Sequence, residues 1–317
     1  MTQAMRVAVA GASGFIGSAV MRYLIERKVE VVGFGRRQNF ELVPGSLPQH
    51  ALYFPWDLTD SPYRLDVPTF RGRVPDVVVN AAGLADDAAA PDELERVNVA
   101  GALKLARAFP DARLVHISSS SVYDLRHASV DVAENKGPTD SPFGHYAASK
   151  CTAENELARL RRTGHEVVML RPHAVYGPGD RTLLPRLLEA SKRGLPLPDG
   201  GRVPHMLTHV ENLAHAVHLS LRGPVGTYNV TDPEPVLLRD AIEYVGYLKG
   251  ITPRIIDVPY PILDGAARLS ELRARWGGRP RLTRYLVAQL GRERTYDLTA
   301  AQTRLGYEPF PTDLTRI

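Results

Sequence analysis

The feature that most constrains this chain is a glycine-spaced turn, Gly11-Ala12-Ser13-Gly14-Phe15-Ile16-Gly17, set between the apolar run 6–10 and the amphipathic segment 15–27. The apolar run reads as a buried strand, and the helical spacing that follows it reads as an amphipathic helix. Glycines at such a junction permit a tight turn and close approach of the backbone to a ligand. The helix N-terminus adds free N–H groups and positive potential, so the consequence is anion binding, a pyrophosphate in particular.

The same alternation continues along the chain. Apolar runs at 29–34, 77–80, 114–117 and 167–170 are separated by longer amphipathic stretches. This pattern predicts an α/β fold with a doubly wound parallel sheet of Rossmann type, covered by helices on both faces. After Arg171 the punctuation changes, first to Gly177-Pro178-Gly179 and then to a Pro- and Gly-rich stretch at 195–204, ahead of a helical segment at 211–221. From about 231 onward Pro-broken segments surround an Arg-rich helix near 269–275. The expected division is a dinucleotide-binding domain from 1–176 and about 203–231, with a smaller C-terminal substrate-binding lobe from about 177–202 and 232–317.

Composition narrows the function. The formal charge of +4 is small for 317 residues and its arginines are dispersed, which argues against nucleic acid as a partner. The single cysteine, Cys151, cannot close an intramolecular disulfide, and the chain reads as cytoplasmic. The apolar run 7–10 is too short for a signal-peptide core. No apolar stretch approaches the length of a membrane span, which leaves surface association open.

Where an NAD-binding chain commonly places an acidic residue to hold the ribose 2′-hydroxyl, at the end of the second strand, this one has Gly35-Arg36-Arg37. Two guanidinium groups and no carboxylate favour a 2′-phosphate, so NADP is expected, with NAD possible.

Tyr146 and Lys150 stand four apart in Tyr-Ala-Ala-Ser-Lys, which puts both on one face of a helix. A nearby ammonium stabilises phenolate and lets a tyrosine exchange a proton with a substrate hydroxyl or carbonyl. The run 114–117 ends in Ser118-Ser119-Ser120-Ser121, at the carboxyl edge where doubly wound sheets bind ligands, and a hydroxyl there can orient the reacting oxygen.

Together these motifs resemble the extended short-chain dehydrogenase/reductase family, also called the NAD-dependent epimerase/dehydratase family, over nearly the whole chain. The resemblance rests on the glycine loop, Asp57-Leu58, Asn80-Ala81-Ala82-Gly83, Asn98, the serines before Val122-Tyr123, the Tyr146/Lys150 pair, and Arg171-Pro172-His173-Ala174-Val175-Tyr176-Gly177-Pro178-Gly179. It implies that Asp57 and Leu58 lie near adenine, that Ala81, Ala82 and Gly83 line the dinucleotide, and that Lys150 also holds the nicotinamide ribose. Asn98, Ser118, Pro172 and His173 are implied at the cofactor as well. Ser119, three before Val122, matches the family's catalytic Ser/Thr position better than its neighbours do. A homodimer through the helix bearing Tyr146 is implied too.

Asp124 stands where many sugar-active members have glycine, and His173-Ala174 where they often have a pair ending in asparagine. Later motifs, His209-Val210-Glu211-Asn212, Pro280-Arg281-Leu282-Thr283-Arg284, Tyr296-Asp297-Leu298 and Leu305-Gly306-Tyr307-Glu308-Pro309, look closer to the hydroxysteroid dehydrogenase-like branch. The expected function is therefore NAD(P)-dependent interconversion of a secondary alcohol and ketone on a small or hydrophobic substrate. The alternatives are a nucleotide-sugar epimerase, dehydratase or 4-ketoreductase, and a redox-sensing binding protein without catalysis. His205 and His209 lack a third metal ligand, so no metal is expected. His145 reads as a surface or packing residue, and Cys151 as a small buried one.

Overall fold

Alternating side chains of β1 (Arg6–Ala10) divide the centre of the protein. Val7 and Val9 enter one apolar cluster while Ala8 and Ala10 enter another on the opposite face, as a strand buried on both sides requires. The computed structural model describes residues 5–37, 52–59 and 73–317. After β1 come α1 (Phe15–Glu26), β2 (Glu30–Gly35), β3 (Leu52–Pro55) and β4 (Val77–Asn80). Next, α2 (Pro91–Leu94) continues through a π-helical stretch, Glu95–Ala100, into α3 (Gly101–Ala108) and then β5 (Arg113–Ile117). β6 (Ser129–Val132), α4 (His145–Arg162), β7 (Val167–Pro172), β8 (Val175–Tyr176), α5 (Leu184–Ser191) and β9 (Leu195–Leu197) follow. The chain goes on through β10 (Pro204–His205), β11 (Thr208–His209), α6 (Val210–Ser220), β12 (Gly226–Val230), β13 (Val236–Leu237) and α7 (Leu238–Leu248). It closes with β14 (Ile255–Asp257), α8 (Tyr260–Ala274), α9 (Arg284–Leu290) and β15 (Arg294–Tyr296).

Seven strands form the central parallel sheet in the order β12-β7-β5-β4-β1-β2-β3. The order reverses between β1 and β4, whose register runs from Val7 opposite Val77 to Ala10 opposite Asn80. Their carboxyl ends therefore open the crevice where such sheets bind ligands, with Gly11 and Ala81 as its lips. Leu24, Leu213 and Val217 cover one face from α1 and α6; Leu105 and Leu157 cover the other from α3 and α4. Each such side chain contributes about 1.5–3 kcal/mol on burial.

The remaining strands form smaller sheets, the largest in the order β13-β10-β15-β6. β6 falls inside the range 1–176 expected for the dinucleotide-binding domain, yet it pairs with β15 near the other end of the chain. The segment 203–231 is also divided: α6 and β12 serve the central sheet, whereas β10 joins the smaller one.

Candidate active site

The glycine turn packs as its sequence requires. Gly11 has φ +75°, and a β-carbon there would lie 2.7 Å from the Ala82 nitrogen and 2.8 Å from the Ala81 carbonyl, so only glycine lets β1 and β4 close at this point. Gly14 caps α1 without a side-chain hydrogen bond, and no acidic residue occupies the first turn of that helix. The amide end thus keeps its positive potential. It opens on a cleft of about 230 Å³ lined by Ser13, Arg36, Arg37, Asp57, Leu58 and Ala81 among others. The uncapped helix end and the glycine-only approach fit the pyrophosphate of a dinucleotide. Arg36 and Arg37 are exposed at the end of β2. Asp57 accepts from the amide and hydroxyl of Thr59, each at 2.8 Å. Phe15, Ile16 and Gly17 form the first turn of α1, where the ring of Phe15 and the side chain of Ile16 stay partly exposed and Gly17 is buried.

At the far end of this cleft Gly83 faces the Lys150 ammonium; a β-carbon built there would stand 3.6 Å from Lys150 Nζ and 3.4 Å from Asn98 Oδ1. Lys150 is buried and donates to the Ile117 carbonyl at 3.2 Å. Burial lowers it to about 8, and Glu154, one turn along α4, opposes that fall. Asn98 donates to the Leu84 carbonyl and to Ser149 Oγ, and accepts from the Leu84 amide. Its polar atoms are spent on holding the 83–84 wall against α4.

Tyr146 opens α4, and its phenol hydrogen-bonds Ser119 and Ser121. Burial pushes the phenol above its ordinary range near 10, and those two hydroxyls pull the other way. The two serine hydroxyls thus supply a downward pull that the sequence reading sought from Lys150. Ser119 accepts from the amide and hydroxyl of Ser121 at 3.1 and 2.9 Å. It is the one member of the four-serine run that is not fully buried. Ser118 Oγ is buried and unpartnered at the β5 end.

Ser120 points the other way, to His173 Nδ1 at 2.8 Å. The His173 ring stacks on His205 and meets Tyr296, and burial holds it well below the ordinary histidine range. The His173 ring thus packs against the serine turn. Pro172, the last residue of β7, is buried and pairs with Val230 of β12. Beneath them Arg171 makes a two-pronged, fully buried pair with Glu154, at 3.0 and 2.6 Å, and donates to the Tyr123 hydroxyl. Cys151 is buried, its thiol pushed up to about 12, and it donates to the Val122 carbonyl.

Beside Tyr146 lies a second cleft of about 550 Å³, walled by residues 87–91, Phe143, His145, α8 and Tyr285. His145, read as a surface or packing residue, is exposed and lines it. Tyr285, Gln289 and Asp87 are functional candidates that sequence reasoning missed. Gln289 donates to the Tyr285 hydroxyl at 3.0 Å, and Thr283 donates to Asp87. Tyr285 directly follows the quoted motif 280–284, which was its only signal. Among the described residues no His, Cys, Asp and Glu group could hold a metal, and no helix is long and apolar enough to cross a membrane.

A family model for NAD dependent epimerases/dehydratases matches residues 7–231. The chain is 29% identical to 4-hydroxy-2-methyl-3-oxo-4-farnesyl-3,4-dihydroquinoline-1-oxide ketoreductase of Stigmatella aurantiaca, over 96% of this chain and 92% of that one. It is also 29% identical to 2-alkyl-3-oxoalkanoate reductase of Stenotrophomonas maltophilia, over 96% and 95%. UDP-glucuronic acid 4-epimerase from Bacillus cereus, solved in complex with NAD, shares the fold with a TM-score of 0.73 at 20% identity, over 98% of this chain and 95% of that one.

Proposed function

The chain belongs to the NAD-dependent epimerase/dehydratase family of enzymes, and from that premise we propose that it is a ketoreductase or alcohol dehydrogenase acting on a small or hydrophobic substrate through Ser119, Tyr146 and Lys150. The observation that carries this reading is the Tyr146 phenol, held protonated by burial and bonded to Ser119, beside a cleft walled in part by Ala88, Ala89, Ala90 and Phe143. Both full-length relatives described above are named as reductases of ketones on apolar skeletons, which supports the same direction.

A bound nicotinamide would exchange a hydride with the substrate carbon. Ser119 then donates to the substrate oxygen and holds it against Tyr146. Tyr146 donates its phenolic proton to that oxygen during reduction, and takes it back during oxidation. Lys150, beside Gly83 and Asn98, is the residue to hold the nicotinamide ribose and to steady the phenolate as it forms. The uncapped start of α1 would take the pyrophosphate, and Arg36 with Arg37 the 2′-phosphate of NADP. We assign the central sheet with its helices to the cofactor and the segments around α5, α7, α8 and α9 to the substrate. A homodimer through α4 would use polar positions such as Thr152, Asn155 and Arg159, which are exposed.

Screening ketones and alcohols against absorbance of the reduced nicotinamide tests the reading. Stoichiometric consumption of reduced cofactor with a ketone supports it. Conversion of a nucleotide sugar with no net cofactor change would replace it with the epimerase alternative.

A further inference from the structure

Helix α8 carries apolar side chains on two opposed faces. Its inner face buries Leu263 and Ala267 against Val287 of α9, so that side is spent on the fold. Ile262, Leu269 and Leu272, with Trp276 in the turn that ends the helix, are 61%, 47%, 46% and 86% exposed. Steps of seven, three and four residues align them along one outward line, with the small residues Gly265 and Ala266 between.

Arginines frame that line. Arg273, Arg275, Arg279 and Arg281 are all exposed, at or just beyond the helix C-terminus. Asp264 is paired with Arg268 and Arg284, while Glu271 accepts from the Arg284 amide and is a lone negative charge against the four arginines. Arg279 pairs with Asp86. This end of the helix therefore keeps an excess of positive charge beside an exposed tryptophan.

We propose that the outer face of α8 docks on an anionic lipid surface, with Ile262, Leu269, Leu272 and Trp276 at the headgroup–acyl boundary and the arginines on lipid phosphates. The charge distribution selects this occupant. A surface helix with aliphatic and Trp side chains bordered by arginines binds anionic bilayers through buried apolar area and electrostatic attraction together. A second copy laid on the same line would instead bring Arg273 to the edge of an apolar seam. Glu271 and Ala274 of the same helix, with Arg275 just beyond it, wall the larger cleft, so docking brings that cleft beside the bilayer.

The test is sedimentation of the full-length protein with vesicles of phosphatidylcholine, with and without phosphatidylglycerol. Binding to the anionic vesicles alone, weakening as salt rises, is the expected result. Arg273→Ala and Arg275→Ala should each weaken partitioning about fivefold. Leu269→Ser with Trp276→Ser should abolish binding while the thermal melt stays unchanged. Brominated lipid should quench a component of the emission that is absent in Trp276→Phe. No binding to anionic vesicles, equal binding to phosphatidylcholine alone, or binding retained by the double variant overturns the proposal. So does a dimer in light scattering that the double variant converts to monomer, because a second copy then covers the face.

Discussion

The ring of Tyr285 stands edge-on to that of Tyr146, their centroids 5.9 Å apart and their planes at 85°. A residue of α9 thereby fixes the orientation of a phenol carried by α4, and it does so at the wall of the larger cleft. Gly144, at φ +94°, supplies the left-handed backbone that starts α4 beside Tyr285.

Edge-to-face pairs of this kind contribute about 0.5–1.5 kcal/mol. Tyr285→Ala is expected to lower turnover about tenfold and to raise KM, because Tyr146 loses its lateral support and the cleft widens. Tyr285→Phe keeps the ring and should retain most of the turnover. Steady-state kinetics on both variants decide the point, and equal losses would show that the hydroxyl, with its Gln289 bond, matters more than the ring.

Lys150 links the site to stability. Burial lowers it from 10.5 to about 8, a gap equivalent to roughly 3 kcal/mol. Between those two pH values the unfolded chain holds a proton that the folded chain has released, so stability rises with pH across that window. Below about pH 8 both states are protonated and the full cost of the buried ammonium is present. Lys150→Met carries no such cost, so its stability relative to the parent should be highest below pH 8 and should decline as pH climbs to 10.5. Urea unfolding of both proteins at stepped pH measures the difference. A constant difference across the window would mean that the ammonium is not desolvated.

Much of this arrangement was legible in the sequence because it follows from local periodicity. The spacing of Tyr146 and Lys150 needs only a helix to align them, and α4 supplies it. The strands at 77–80 and 114–117 are short apolar runs whose burial on both faces leaves few alternatives. Contacts made across long separations could not be read this way. Nothing around His173 signals that its ring turns to Ser120, since the partners that enclose it, His205 and Tyr296, arrive from distant segments. Tyr285 was invisible for the same reason: its value lies in meeting Tyr146, and no spacing rule connects two helices so far apart in the chain. The pairing of β6 with β15 crossed the expected domain boundary on similar grounds, because a four-residue strand does not reveal its partner.

Arg36 and Arg37 line the cleft at the start of α1, beside Trp56 and Asp57. NADPH should therefore bind more tightly than NADH, with the margin shrinking as salt screens the exposed guanidinium groups. Replacing both arginines with alanine should remove most of the preference while leaving NADH affinity nearly unchanged. Calorimetric titration of the two cofactors measures this. Equal affinities in the unmodified protein would mean that the guanidinium groups do not reach the adenosine ribose.

The chemical assignment makes its sharpest demand on three residues: Ser119, just beyond β5, and Tyr146 and Lys150 in the first turns of α4. Tyr146→Phe removes the exchangeable proton and keeps the ring that packs on Tyr285, so turnover should fall by on the order of 10²-fold or more while NADPH affinity holds. Lys150→Met should reduce both, because the ammonium faces Gly83 and sits one helical turn from Tyr146 on the same face of α4. Ser119→Ala should act on turnover alone, by a smaller factor, since Ser121 also bonds the phenol and survives the change. Combining Ser119→Ala with Ser121→Ala should then deepen the loss, and it should leave Tyr146 harder to ionise, because both hydroxyls that lower its pKa are gone. The alkaline pH dependence of the oxidation direction would record that as a shift to higher pH. Near-native turnover in Tyr146→Phe would place the proton donor elsewhere, with the Tyr285 hydroxyl the next group to test.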